Sequence, residues 1–301
     1  MIIVTGGAGF IGSNIVKELN RRGRTDILVV DDLKDGSNYK NLRGLQFIDY
    51  QHKDDFLQSI ENDDFDGADI DAVFHEGACS DTMEYDVNFM MKVNYEYSKS
   101  VLHFCLQHRI PFLYASSAST YGSGKNGFRE GDDCEDALNP YAFSKLAFDR
   151  YVRQVLPEAR SQIVGLKYFN VYGPQEHHKG KMASIFYQLY NQVNETGVAR
   201  LFKGIDGYKD GEQRRDFVYV KDVVKVISGS GRTRALPAST TAAPARPILT
   251  TKWQKPSLPP WARAGLSTVS SRRCSVASIR ISPSLTPRIF WKLAMTRASM
   301  R

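Results

Sequence analysis

The sequence predicts an α/β fold, a doubly wound parallel sheet with a smaller substrate-binding lobe. Three observations predict it. Short runs of β-branched or aromatic residues recur at 2–4, 27–31 and 72–75, each followed by apolar residues at helical spacing, the alternation that builds parallel sheets. The first run opens into a glycine series, Gly6, Gly9 and Gly12. An acid, Asp31, closes the second run about 20 residues beyond those glycines.

Ile2-Ile3-Val4 suits a strand buried on both faces. Ile11, Ile15 and Val16 follow the glycines at helical spacing. Strand, glycine turn and helix in that order form a dinucleotide pyrophosphate site. The first glycine allows the tight turn, the second lets backbone approach the phosphates, and the third lets helix and strand pack closely. The helix N-terminus adds free N–H groups and positive potential.

Composition bounds the rest. No stretch approaches the roughly 18 consecutive apolar residues of a membrane helix, and a chain that begins with a core strand is expected to carry no signal peptide. Cys79, Cys105, Cys134 and Cys274 show neither metal-ligand spacing nor a disulfide framework. They read as reduced cytoplasmic thiols with no metal. The net charge of +7 is unevenly placed: all 33 acidic residues lie at or before Asp222, against 26 of the 40 Lys and Arg. The first 222 residues thus form an ordinary acidic domain, with no call for a nucleic-acid or membrane partner.

ILVVD at 27–31 is the second strand, and Asp31 with Asp32 is placed to bond ribose hydroxyls, which favours NAD. Lys34 and Lys40 could instead face a 2′-phosphate, so NADP stays open. Leu45–Ile48 reads as the third strand and 72–75 as the fourth, running into Glu76, Gly77, Ala78, Cys79 and Ser80. A helix follows through Met90, Met91, Val93 and Tyr95 with Asn94 at its centre, the methionines being core filler. The fifth strand, from Pro111 to Tyr114, ends in the hydroxyl run 116–120. A helix begins after Asn139-Pro140 and carries Tyr141 and Lys145 at i and i+4, on one face. An ammonium beside a phenol favours phenolate and draws the Tyr pKa toward neutrality, and a nearby Ser hydroxyl would orient a substrate oxygen.

The set Gly6, Gly9, Gly12, Ser117, Tyr141 and Lys145 resembles the extended short-chain dehydrogenase/reductase family, which acts on nucleotide-sugars on a Rossmann fold. The phrases VTGGAGFIGSNIV, ILVVDDLKDG, FHEGACS, YVRQVLPEA, YFNVYGP and HKGKMAS are similar to the branch that epimerises ADP-heptose at its sixth carbon for the lipopolysaccharide inner core. The resemblance runs from Met1 to about Val226. It implies Tyr141 and Lys179 as catalytic acid/bases, Lys145 on the nicotinamide ribose and Ser117 on the sugar. It implies that Phe10, Ile11, Asp31, Asp32, Lys53, Glu76–Ser80, Asn94 and Val171 line the cofactor, with Tyr141, Lys145 and Lys179. It implies Asn170, Lys181, Gln188, Phe202, Lys203, Gly204, Ile205 and Arg215, with Ser117, at the substrate. It favours NADP over NAD and a homo-oligomer, although Asn38 stands where the family often has Lys. On its residues alone, Lys179 reads as a solvated loop lysine.

An epimerase at an unactivated carbinol cannot simply deprotonate the carbon. Transient oxidation by a nicotinamide, then hydride return to the opposite face, inverts the centre and regenerates the cofactor. The alternatives are a sister epimerase or dehydratase on another nucleotide-sugar, or a non-catalytic dinucleotide-binding protein. A dehydratase is expected to carry an Asp-Glu pair beside its catalytic hydroxyl, which 117–120 lack.

From about Ser228 the character changes. Asp, Glu, Asn, Tyr and His vanish, and eight of the 12 prolines lie here. A basic disordered arm is one reading; a shifted reading frame accounts for more. Back-translated and read from the third base, ASTTAAPA at 238–245 gives IYNCGTGP, similar to the family's phrase at this point. The segment at 283–299 rephases in the same direction to EPDAADFLEARYDAS. The expected organisation is a dinucleotide-binding domain over 1–171, a sugar-binding lobe over 172–226, and an aberrant tail over 227–301 without regular structure.

Overall fold

The computed structural model of the chain describes residues 1–33, 36–129, 131–204, 208–211, 215–230, 246–247, 251–252, 266–269 and 276–280. Strands and helices alternate: β1 (Ile2–Thr5), α1 (Phe10–Arg21), β2 (Ile27–Asp31), β3 (Asp49–His52), α2 (Lys53–Glu61), β4 (Ala72–His75), α3 (Val87–Met91), α4 (Tyr97–Gln107), β5 (Phe112–Ser117), α5 (Pro140–Val155) and β6 (Ile163–Tyr168). After them come β7 (Asn170–Tyr172), α6 (Ile185–Thr196), β8 (Val198–Phe202), β9 (Asp216–Tyr219) and α7 (Val220–Ser230). Six strands lie in the order β3-β2-β1-β4-β5-β6, all parallel. The order reverses between β1 and β4, and ligands of open α/β sheets bind at such a switch point.

Alternation along the strands divides the core into two layers. Ile2, Val4, Ile27, Val29 and Phe74 face α1 and α7, meeting Ile15, Val16, Leu19, Val223 and Ile227. Ile3, Leu28, Val30, Val73 and Phe112 face the other way, onto Phe56 of α2, Leu102 and Phe104 of α4, and Phe148 and Val152 of α5. The doubly wound parallel sheet that the sequence predicts is therefore present. Helices on both faces explain why its central strands read as unbroken apolar runs.

The third strand is corrected. It is Asp49–His52, not Leu45–Ile48. As the sheet edge, β3 needs no apolar sequence, while Leu45 and Phe47 pack on the core as irregular chain leading into it. The fifth strand runs on through Ser117, so the hydroxyls belong to the ladder. The helix centred on Asn94 carries a π-helical turn at Lys92–Glu96 between α3 and α4.

Two compact units divide the chain: 1–182 with 218–249, and 183–217 with 250–301. In the first, the two-residue strand β10 (Arg246–Pro247) pairs parallel with β6. In the second, β8 pairs antiparallel with β13 (Val276–Arg280), which pairs with β12 (Leu266–Val269), and β11 (Thr251–Lys252) pairs with Asp216 and Phe217. Those strands are the described part of the segment after Ser230, for which the sequence predicts no regular structure; its other residues, Cys274 among them, lie outside the described residues, as do Lys34 and Ile205. No helix among the described residues is long and apolar enough to cross a membrane.

Candidate active site

The glycine turn is built by close approach. Gly6 has φ +66°, and a Cβ there would stand 2.6 Å from Gly77 N in the loop after β4. A Cβ on Gly12 would stand 2.1 Å from Gly6 O, so the third glycine lets α1 press on the turn itself. Gly9 N donates to Gly6 O (2.9 Å), closing the turn before Phe10 starts the helix. Ala8 N donates to Asp31 Oδ2 (2.8 Å) and Asp32 N to Asp31 Oδ1 (2.7 Å). Burial raises the Asp31 carboxyl pKa against these bonds. Asp32 lies 3.7 Å from His52 Nε2, and Lys53 pairs with Asp54 (2.8 Å).

Beside this turn, β4 ends in a relay of hydrogen bonds through His75. Gly77 N donates to Thr5 Oγ1 (3.3 Å), which bonds His75 Nδ1 (2.7 Å). Ser98 Oγ donates to Asn94 O (2.8 Å) and so accepts from His75 Nε2 (2.8 Å). These bonds put a proton on His75 Nε2; burial first, then the Lys145 charge, pushes its pKa down to about 3, which leaves Nδ1 to accept from Thr5. Asn94, fully buried in the π turn, accepts from Cys79 N (2.8 Å) and donates to Cys79 O (2.9 Å) and Ser144 Oγ (3.1 Å). π turns often mark functional sites. Here one ties the Glu76–Cys79 loop to α5.

Glu76 bonds the Tyr168 hydroxyl through Oε1 (3.0 Å), while its buried Oε2 has no partner among the described residues. Burial pushes its carboxyl up to about 8, against the Tyr168 bond and the Lys145 charge. The glycine cradle, the Asp31 carboxylate and this orphaned oxygen at the switch point fit a dinucleotide.

α5 starts where Asn139 caps it, its Oδ1 accepting from Ala142 N (2.8 Å), with Pro140 in the first turn. The Ser117 hydroxyl lies near enough to Tyr141 to favour its ionised form, and Lys145 donates to Ala115 O (3.0 Å). The predicted trio thus meets, but the predicted titration is corrected. Burial raises the Tyr141 pKa, the Ser117 hydroxyl opposes it, and Cys79, Asp149 and Glu76 add to the rise. The Lys145 ammonium is itself lowered to about 8 by burial. Desolvation disfavours the charged form of both groups: Tyr141 holds its proton more tightly, and Lys145 releases its proton more readily.

Lys179 lies on the short helical segment His177–Met182, its ammonium over the Phe10 ring (5.4 Å) and its pKa lowered by burial. Among the described residues it has no hydrogen bond to Tyr141. It is held against the start of α1, unlike a solvated loop lysine. Half-buried Val171 and exposed Asn170 lie on β7, and exposed Lys181 follows Gly180. The second unit carries Gln188 on α6, Phe202 closing β8, Lys203 and Gly204 in the turn after it, and Arg215 before β9. Gly204 N donates to Asp210 Oδ1 (2.7 Å), and a Cβ on Gly204 would stand 2.3 Å from Tyr208 O.

The sequence reading missed a buried ionic cluster behind the serines, formed by Lys167, Asp149, Glu135 and Arg153. One signal was available: Tyr141, Lys145 and Asp149 follow at i, i+4 and i+8 on one helix face.

The chain is similar to solved structures of nucleotide-sugar enzymes. Against the ADP-L-glycero-D-manno-heptose-6-epimerase of Helicobacter pylori it is 32% identical, with TM-score 0.68 over 77% of this chain and 73% of that one. Against MoeE5 in complex with UDP-glucose and NAD it is 26% identical, with TM-score 0.61 over 84% and 77%. Against the UDP-glucuronic acid 4-epimerase of Bacillus cereus in complex with NAD it is 26% identical, with TM-score 0.61 over 77% and 74%. The NAD dependent epimerase/dehydratase family matches residues 2–230. Across that span lie the glycine turn, the sheet and the Tyr141 face of α5, and the chain belongs to this family.

Proposed function

We propose that the chain inverts the sixth heptose carbon of ADP-D-glycero-D-manno-heptose, giving the L-glycero epimer, with a retained nicotinamide dinucleotide. The observation that carries the reading is Tyr141 on α5 beside the Ser117 end of β5, with Lys145 one turn along the same helix face and bonded to Ala115 O. The heptose specificity is supported by the similarity to the Helicobacter pylori enzyme and the wording shared with that branch.

A bound nicotinamide supplies reversible hydride transfer at the carbinol carbon. Ser117 orients the carbinol oxygen. As phenolate, Tyr141 would take the hydroxyl proton as the carbon is oxidised and return it on reduction; burial favours the protonated phenol, so the Ser117 hydroxyl beside it is needed to favour the ionised form. Lys145 holds the cofactor ribose. Lys179, desolvated against Phe10, is the second acid/base and serves the opposite orientation of the sugar. The cofactor proposed is NADP, on the resemblance; the Asp31 and Asp32 carboxylates at the end of β2 make NAD the competing outcome. The same reading assigns the protein to the cytoplasm as a homo-oligomer.

The test supplies ADP-D-glycero-D-manno-heptose, UDP-glucose and UDP-glucuronic acid in parallel and follows each stereocentre by NMR. Inversion of the heptose alone is expected. Inversion of a UDP-sugar instead transfers the protein to a sister activity. Mass spectrometry of the denatured protein is expected to find NADP near one per chain. Absence of any nicotinamide contradicts the oxidative mechanism.

A further inference from the structure

Lys167 is fully buried in β6, a strand of otherwise apolar character. Its ammonium meets three acceptors: Thr120 Oγ1 (2.6 Å), Glu135 Oε1 (2.8 Å) and Asp149 Oδ2 (3.0 Å). Those are all the donors an ammonium has. Each acceptor lies on a different segment. Thr120 follows the serine end of β5, Glu135 sits in the loop before α5, and Asp149 is on α5, one turn beyond Lys145.

The partners lead to the reacting groups. Thr120 Oγ1 accepts from Lys167 and donates to Ser117 O (2.7 Å), so the position of that carbonyl depends on the lysine. Asp149 accepts from Ser116 Oγ (2.6 Å) and Tyr114 Oη (2.9 Å), pinning α5 to β5 on either side of the strand's last turn. Glu135 is clamped by Arg153 through both oxygens (2.5 and 2.9 Å), and Arg153 also pairs with Asp132. Lys167 and Arg153 against Glu135 and Asp149 leave the buried cluster neutral.

Buried ion pairs are weak sources of stability, because desolvation offsets most of their attraction. A packed apolar cluster could join these elements at least as well, but it would not define one register. Hydrogen-bonded charges do. Ser117 on β5 and Tyr141 on α5 belong to separate elements, and their meeting needs a register held to a few tenths of an ångström.

We propose that Lys167 is a positioning residue: by bonding Thr120, Glu135 and Asp149 at once, it sets the serine end of β5 against the Tyr141–Lys145 face of α5. It touches neither substrate nor cofactor. The inference rests on the epimerase reading above for its kinetic consequence, and on geometry alone for the rest.

The experiment compares Lys167→Met, Lys167→Arg and the double variant Lys167→Met/Glu135→Gln, which keeps the cluster neutral, in the full chain. Three quantities are read: kcat with KM, the melting temperature, and the Tyr141 titration by ultraviolet difference against Tyr141→Phe. Tyr141 is faced by Ser117 from β5, by Cys79 and Glu76 from the loop after β4, and by Lys145 and Asp149 along its own helix. Loss of register moves the Ser117 hydroxyl, whose nearness favours the ionised form of Tyr141, so the Tyr141 titration moves to higher pH.

In Lys167→Met, kcat is expected to fall about 10²-fold, the scale of an ångström-level misplacement, with KM little changed. Lys167→Arg restores most of the rate. The double variant recovers the melting temperature but stays slow. Where Lys167→Met does not fold, the double variant carries the decision. A wild-type rate and an unmoved Tyr141 titration in either Met-bearing variant overturn the proposal. So does a rate that recovers together with the melting temperature in the double variant. If neither the unmodified chain nor one restored to the shifted frame beyond Val226 turns over a nucleotide-sugar, the epimerase reading fails by itself, and the Tyr141 titration still decides the role of Lys167.

Discussion

At Tyr141 burial works against what the charged neighbour Lys145 was expected to do, and at Lys179 it acts on an amine. Desolvation raises the phenol and lowers the amine, so Tyr141 holds its proton more tightly and Lys179 releases its proton more readily than the same groups in water. Tyr141→Phe and Lys179→Ala are each expected to reduce epimerisation roughly 10²-fold or more while the dinucleotide stays bound. If Lys179→Ala epimerises like the unmodified enzyme, one base suffices and Lys179 is only a packing residue against Phe10. His75 makes a different demand. Its folded pKa is about 3 against an ordinary 6.5, so the unfolded chain binds a proton across that window and the folded chain does not. Stability therefore falls as pH drops from 6.5 toward 3, by about 1.4 kcal/mol per pH unit for one proton. Urea unfolding of His75→Gln is expected to show a lower stability at pH 7 and a shallower decline into acid. Parallel curves for the two proteins would contradict the neutral-histidine relay.

At the scale of elements, legibility follows burial. β1, β2 and β4 are covered on both faces and read directly as apolar runs. β3 does not, because an edge strand gets its order from one ladder and needs no apolar sequence; Ile48, placed in the predicted strand, is 60% exposed. The glycine turn, the hydroxyl end of β5 and the Tyr141–Lys145 face were legible because each is a local pattern. The Lys167 cluster was not, since its bonds join residues 18, 32 and 47 positions apart. Nor was the π turn, which no residue type announces. That turn is the test of how far an element serves the site. Asn94→Leu strands the Cys79 N–H and C=O in a buried place, about 1–3 kcal/mol for each unsatisfied group. It is expected to lower the melting temperature and weaken dinucleotide binding about tenfold, measured by quenching of intrinsic fluorescence. Unchanged affinity at a lowered melting temperature would make the turn a fold element only.

At the scale of the whole molecule, the chain changes character within one helix. α7 still packs Val223, Val224 and Ile227 into the core, and Lys225 pairs with Asp222, the last acid in the sequence. Beyond it the sequence has basic, Pro-rich composition and neither helical nor alternating periodicity. Ordering each residue costs about 1–2 kcal/mol, and apolar burial returns about 25 cal/mol per Å². A segment whose apolar residues share no face recovers little of that. The strand beside β6 shows the difficulty: it is two residues long and one is Pro247, which has no N–H to give. The resemblance implies that this segment should complete the sheet edge and wall the sugar site. We therefore expect the 301-residue chain to epimerise weakly or not at all despite an intact Ser117, Tyr141, Lys145 and Lys179. Sequencing the coding strand across codons 222–232 is expected to show a one-step frame change against a gene reading IYNCGTG. A chain rebuilt in that frame from this point should gain at least about tenfold in kcat, the factor that separates a complete from an incomplete transition-state site by some 1.4 kcal/mol. Equal rates from the two chains would mean that the segment as written is a working part of the enzyme, and the shifted-frame reading would fall.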